Sequence, residues 1–128
     1  MLGSEQPNGQ TAVANETTGD AWKIDYVEFG SSDLAATQTF FGDVFGWTFT
    51  EYGEHYRDIS GAGLGGGLHD EGAGPPLVIL KTDDLEGALA KVRNAGAEIT
   101  QDIFEFPGGR RFHFIAPGGV TLAIWSEG

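Results

Sequence analysis

One pattern occurs twice in this chain. Asp33-Leu34 opens a run in which Leu34, Thr37, Phe41 and Val44 fall at helical spacing and Gly46 ends it; Asp84-Leu85 opens a second run with Leu85, Ala88, Leu89 and Val92 on one face and Gly96 at its end. The paired aspartates are 84 − 33 = 51 residues apart and the paired glycines 96 − 46 = 50. Ser32 or Asp33, and Asp83 or Asp84, supply the helix caps. A strand, "WKIDYVEF", precedes the first helix, and "WTFTEY", "HYRDIS" and "GLGGGLH" follow it; "LVILKT" precedes the second, and "EITQDIFEF", "RRFHFIA" and "VTLAIW" follow. Strand, helix and three strands, repeated, predict an α+β fold of two tandem βαβββ units. The Gly/Pro linker "DEGAGPP" separates halves at about 21–70 and about 76–128 of a single domain, and the polar, aperiodic residues 1–20 read as a flexible N-terminal tail.

Charge narrows the partners. Seven lysines and arginines against nineteen acids give a net charge of −12 with no basic run, so phosphate backbones and anionic membranes are repelled; neither nucleic acid nor membrane is expected as a partner. The chain contains no cysteine, which excludes disulfides, thiolate metal sites and a cysteine nucleophile. No leader and no apolar run of about 18 residues is present, and a cytoplasmic location is the expectation.

Two glycine-rich or aromatic stretches invite over-reading. "GAGLGG", Gly61 to Gly66, fits the dinucleotide fingerprint in letters, but it is followed by "GLHDEGAGPP" rather than by the helix whose N-terminus would hold a pyrophosphate. Gly65, Gly66 and Gly67 instead remove side chains from the fourth strand and leave room beside it. In "FFGDVFGW", Phe40, Phe41, Phe45 and Trp47 are expected to pack the first helix onto its sheet.

The duplicated unit, "FFGDVFGW" after the first cap, "TDDLEGALAKVRNAGAEI" in the second half and the closing "GGRRFHFIAPGGVTLAIWSE" together resemble the vicinal oxygen chelate superfamily, which includes glyoxalase I, extradiol dioxygenases and bleomycin-binding proteins. The resemblance spans about Lys23 to Glu127. It implies two curved four-stranded sheets around a cleft that usually holds a divalent metal, with a histidine on the first strand of each half and a glutamate on the last. Those four positions map onto Tyr26, Leu77, Gly67 and Ala123, none of which commonly holds such metals, so no metal is predicted, although a divalent ion is not excluded.

The second hairpin indicates what lines the cleft instead. With a three-residue loop in "APGGV", Ala116 faces Val120, His113 faces Ala123 and Arg111 faces Trp125; since Ala123 marks the cleft by resemblance, Arg111, His113 and Trp125 line it too. A two-residue loop would bring Phe112 and Phe114 there. The same count in the first half, on "SGAGL", sends His55, Arg57 and His69 inward to join Tyr26 and Glu28. In this arrangement Glu28 and His113 are the candidate catalytic groups, and Tyr26, Arg57, His69, Arg111 and Trp125 the candidate ligand-binding residues. An alternative reading makes Glu28 and an arginine a buried structural pair.

Three functions follow from these residues. The first is a small-molecule-binding protein or metal-independent enzyme of glyoxalase and bleomycin-resistance type; the second is a metal-dependent lyase, isomerase or dioxygenase with ligands relocated to His55, His69, His113 and Glu28; the third is a non-catalytic interaction module. The resemblance further implies a homodimer.

Overall fold

The computed structural model describes residues 22–128, so the expected tail at 1–20 lies outside the described residues. Along the chain run β1 (Lys23–Gly30), α1 (Leu34–Phe45), β2 (Thr48–Glu51), β3 (Tyr56–Ser60), β4 (Gly65–His69), β5 (Leu77–Lys81), α2 (Leu85–Asn94), β6 (Glu98–Phe106), β7 (Gly109–Ala116) and β8 (Val120–Ser126). The duplicated α+β unit is therefore present in both halves. Its strands do not form two separate sheets: they join in one eight-stranded sheet of order β2-β3-β4-β1-β5-β8-β7-β6. The seam is the antiparallel β1–β5 pair, and within each half the first and last strands run parallel.

Local chemistry sets the helix ends. Asp33 accepts a hydrogen bond from the Ala36 amide and Asp84 from the Gly87 amide, each satisfying a donor that the first turn leaves without a helical partner. Gly46 closes α1 with φ 76°, a left-handed conformation that a residue with a Cβ disfavours, and its amide donates to the Gly42 carbonyl. Of the two cap candidates in each half, the aspartate nearer the helix is the one used.

Strand alternation then gives the sheet two faces. One face carries the helices over two cores: Leu34, Ile59 and Leu68 under α1, with Phe29, Phe41 and Trp47 against them, and Leu85, Ala88, Phe112, Phe114 and Ile124 under α2. Phe41 and Trp47 pack as their sequence suggests, whereas Phe40, Val44 and Phe45 are at least half exposed. The outer face of α1 is thus apolar, beyond what spacing alone indicates.

The opposite face of the sheet is concave. Strand β3 stands second from one edge and β6 at the other, yet residues of both line a single cavity, so the sheet curls around it. Among the described residues, no helix is long and apolar enough to cross a membrane.

Phe112 has no exposed surface and sits at the centre of the larger core. Phe112→Ala is expected to destabilise the domain by about 3–5 kcal/mol, the cost of lost burial plus an unfilled cavity, read as a lowered midpoint in urea denaturation.

Candidate functional site

The cavity has a volume of about 790 Å³ and is lined by Tyr26, Glu28, Tyr52, Gly53, Tyr56, Asp58, Ile79, Phe104, Phe106, Pro107, Gly108, Arg111 and Trp125. Of the residues proposed from sequence, Tyr26, Glu28, Arg111 and Trp125 are brought together here. Arg111 and Trp125 owe this to the β7–β8 register, in which Ala116 pairs with Val120, His113 with Ala123 and Arg111 with Trp125, and Tyr26 and Glu28 to their places two apart on β1. Phe112 and Phe114 accordingly point into the core beneath α2.

Strand β3 differs from expectation by one residue. Tyr56 pairs with His69, Arg57 with Leu68 and Asp58 with Gly67, so the loop after β3 is one residue longer than the "SGAGL" count requires. In a pleated strand a shift of one exchanges the faces. Arg57 consequently lies on the helix side, where its Nε donates to Gln38 Oε1 of α1 at 2.9 Å, and it does not enter the cleft. Tyr56 and Asp58 take the inward places.

The histidines do not converge. His55 is exposed and its Nδ1 lies 2.7 Å from Asp70 Oδ2, a contact that raises its pKa. His69 shares the concave face by alternation, but its ring rests against Gly30 and its Nδ1 accepts from the Glu71 amide; it does not line the cavity. His113 stands beside the cavity rather than in its wall, its ring 5.7 Å from that of Phe104. Its buried Nε2 has no hydrogen-bond partner, and burial, then the neighbouring Arg111 charge, hold its pKa below the ordinary imidazole value against the opposing pull of Glu28.

The polar floor is a chain of short contacts. Tyr56 Oη donates to Glu28 Oε2 at 2.9 Å, Tyr26 Oη to Asp58 Oδ1 at 3.1 Å, and the two hydroxyls are 2.7 Å apart. Burial, followed by the Glu28 charge, pushes the Tyr56 phenol far above the ordinary tyrosine range; burial is also the main cause for Tyr26, with the Asp58 charge adding to it. Both phenols stay protonated. Arg111 reaches Glu28 through Nη1 and Nη2, both at 3.4 Å, long for a bidentate pair, while its guanidinium carbon stands 5.5 and 5.6 Å from the rings of Phe104 and Phe106. Trp125 is held by its Nε1 donating to Asp25 Oδ2 at 2.9 Å.

The positions that resemblance assigns to metal ligands do not fit a divalent ion. Tyr26 is committed to Tyr56 and Asp58; Gly67, Leu77 and Ala123 offer no donor atom. A Cβ at Gly67 would collide with the Tyr56 hydroxyl and lie 2.6 Å from that of Tyr26, so the phenols fill the space a ligating side chain would need. Among the described residues, no three His, Cys, Asp or Glu side chains form a group that could hold a metal. The relocated set His55, His69, His113 and Glu28 is therefore not assembled, because one-residue register and local turn bonds take its histidines elsewhere.

Tyr52, Tyr56, Asp58, Phe104 and Phe106 are among the lining residues that sequence reasoning missed. A signal for two of them was present: Ile59 must face the core, which by alternation turns Tyr56 and Asp58 inward. Phe104 and Phe106 follow from the two-residue turn Pro107-Gly108, which pairs Phe106 with Gly109 and Phe104 with Arg111 without a break and so puts both on the face of Arg111; the irregular pairing in β6 begins only beyond Phe104.

Fold and site together define a paired-βαβββ protein with a metal-ligand-poor, aromatic cleft. A family model described as Glyoxalase/Bleomycin resistance protein/Dioxygenase superfamily matches residues 23–124, and the chain belongs to that superfamily. It is similar to the anthracycline biosynthesis protein DnrV of Streptomyces peucetius, at 27% identity over 80% of this chain and 46% of that protein. In structure it resembles a Mn(II)-bound glyoxalase from Novosphingobium aromaticivorans (TM-score 0.65, 22% identity, covering 84% of this chain and 40% of that one). It also resembles methylmalonyl-CoA epimerase from Mycobacterium tuberculosis (TM-score 0.65, 15% identity, covering 87% and 91%). The chain thus spans less than half the length of the first two.

Because His113 is held neutral in the fold, the unfolded chain takes up its proton first as pH falls below 6.5. The stability His113 contributes is full above that value and declines as pH drops toward the lower folded pKa. Urea denaturation from about pH 8 to about pH 5 should show the natural protein losing more stability than His113→Gln; parallel curves would remove the neutral, buried imidazole from the account.

Proposed function

We propose that this chain binds a small, flat organic molecule in its concave cleft, held by stacking and hydrogen bonds from its own side chains rather than by a divalent metal. The observation that supports this is a cavity of about 790 Å³ walled by Phe104, Phe106, Tyr52 and Trp125, in a fold whose usual ligand positions carry Tyr, Gly, Leu and Ala. Trp125 and Tyr26 offer ring faces, and the Asp25 bond to the indole fixes one of them in place before any ligand arrives. Arg111 and Glu28 orient the polar edge of the ligand, and Glu28 is the candidate general base. Similarity to a protein of anthracycline biosynthesis agrees with a fused-ring ligand. His113, set back from the wall, acts on the ligand only through its neighbours Arg111 and Phe104.

A probe without charge or hydrogen-bond donor tests the stacking alone. Calorimetric titration with 2-methoxynaphthalene should give saturable binding that is unchanged by EDTA and about tenfold weaker or worse in Trp125→Ala, the scale of one lost aromatic contact. Absence of saturable binding in the natural protein would overturn the cleft reading, and abolition by EDTA would overturn its metal independence.

A further inference from the structure

The floor of the cleft carries one hydrogen-bond contact more than it has protons to fill. Three oxygen–oxygen contacts run in a row, Asp58 to Tyr26 at 3.1 Å, Tyr26 to Tyr56 at 2.7 Å and Tyr56 to Glu28 at 2.9 Å. Each phenol contributes one proton, and carboxylates only accept. If both phenols donate outward, the 2.7 Å contact between them has no proton. If Tyr26 donates to Tyr56 and Tyr56 to Glu28, Asp58 receives nothing. If the row is reversed, Glu28 loses its phenol and depends on two long contacts from Arg111. No arrangement of two protons satisfies the row, and an acceptor left wanting in a half-buried site is costly.

We infer that this row, Asp58–Tyr26–Tyr56–Glu28, is a recognition site for a hydrogen-bond donor on the ligand, such as a phenolic hydroxyl or a protonated amine. A donor placed on Asp58 replaces the proton that Tyr26 gives there, so the Tyr26 proton can go to Tyr56 and the Tyr56 proton to Glu28; both carboxylates and the short phenol–phenol contact are then supplied, and only the longest contact, 3.1 Å between Asp58 and Tyr26, is given up. All four residues line the cavity, so a ring stacked against its aromatic wall can bring its substituent to them. The inference rests on the cleft reading and adds the chemical class of its ligand. Gly67 is the enabling residue, since any side chain there would displace both hydroxyls.

The experiment compares matched naphthalenes by calorimetry: 2-methoxynaphthalene, which cannot donate, 2-naphthol, which can, and 2-naphthylmethylammonium, which donates and is charged. The natural protein should bind 2-naphthol at least about tenfold more tightly than the methyl ether, the effect of one well-made hydrogen bond. Asp58→Asn supplies an amide donor to Tyr26 from within the protein, and Tyr56→Phe removes one proton with two of the three contacts, leaving the Tyr26 proton for Asp58 alone. In both variants, checked for native fold by circular dichroism, the preference should shrink to within about threefold. A preference of the natural protein for the ammonium over the naphthol assigns the donor to a cation; the reverse assigns it to a hydroxyl, and either supports the site. Equal binding of naphthol and ether by the natural protein overturns the inference and leaves the cleft reading standing. A preference that survives both substitutions overturns it as well. Binding of none of the three overturns both.

Discussion

Every feature of the site depends on the pleat of one continuous sheet. Alternation sends Phe29, Ile59, Leu68, Phe112, Phe114 and Ile124 toward the helices and leaves Tyr26, Glu28, Tyr56, Asp58, Arg111 and Trp125 on the concave side. The two sets are inseparable, because a strand cannot move one face without moving the other. Burial of Phe112 and Ile124, each with no exposed surface, therefore fixes where Arg111 and Trp125 point as firmly as any contact those two make themselves. This also explains why the tandem arginines behave differently. Arg110 turns to the helix side and pairs with Glu86 at the start of α2 at 2.6 Å, while Arg111 turns into the cleft toward Glu28.

The same constraint decides how much of the protein could be read from its sequence. The βαβββ duplication and the helix starts were legible, and the second hairpin was legible given a three-residue loop in "APGGV", the loop that the Ala116–Val120 pair shows. In the first hairpin the glycines of "SGAGL" accept several loop lengths, and Gly61 and Gly63 both adopt positive φ, so the turn itself does not specify register. Counting from the turn put Arg57 inside and Tyr56 outside; counting from the apolar Ile59 puts them correctly. Burial of a large aliphatic side chain is worth more than any preference among glycine turns, and it is the better arbiter. Phe104 and Phe106 had a signal of their own, since the two-residue turn Pro107-Gly108 pairs Phe104 with Arg111 and gives both rings the facing of that arginine.

Duplication gives the two halves one scaffold but not one chemistry. The first half supplies the oxygen-rich floor through Tyr26, Glu28, Tyr56 and Asp58; the second supplies the cation and most of the aromatic wall through Arg111, Phe104, Phe106 and Trp125. Side-chain hydrogen bonds join the halves from Arg111 to Glu28 and from Trp125 to Asp25. The cavity wall thus belongs to both halves.

Glu28 is 8% exposed and Arg111 mostly covered, so their pairing carries a desolvation cost that contacts of 3.4 Å do not offset well. A pair kept for stability alone would be expected to close to charge-assisted distances below about 3 Å. What holds Arg111 in its long geometry is the pair of rings on β6, whose faces offset part of the desolvation while keeping the guanidinium from collapsing onto the carboxylate. Tyr56 holds Glu28 from the other side. The charges are thus each anchored by a neighbour other than the partner, and the gap between them is a property of the fold. Preorganised groups that are incompletely satisfied by one another bind a third molecule at lower reorganisation cost than groups that must first be separated. The loose ion pair and the proton-short hydroxyl row are two ends of a single polar surface, the one that the ligand we propose would complete.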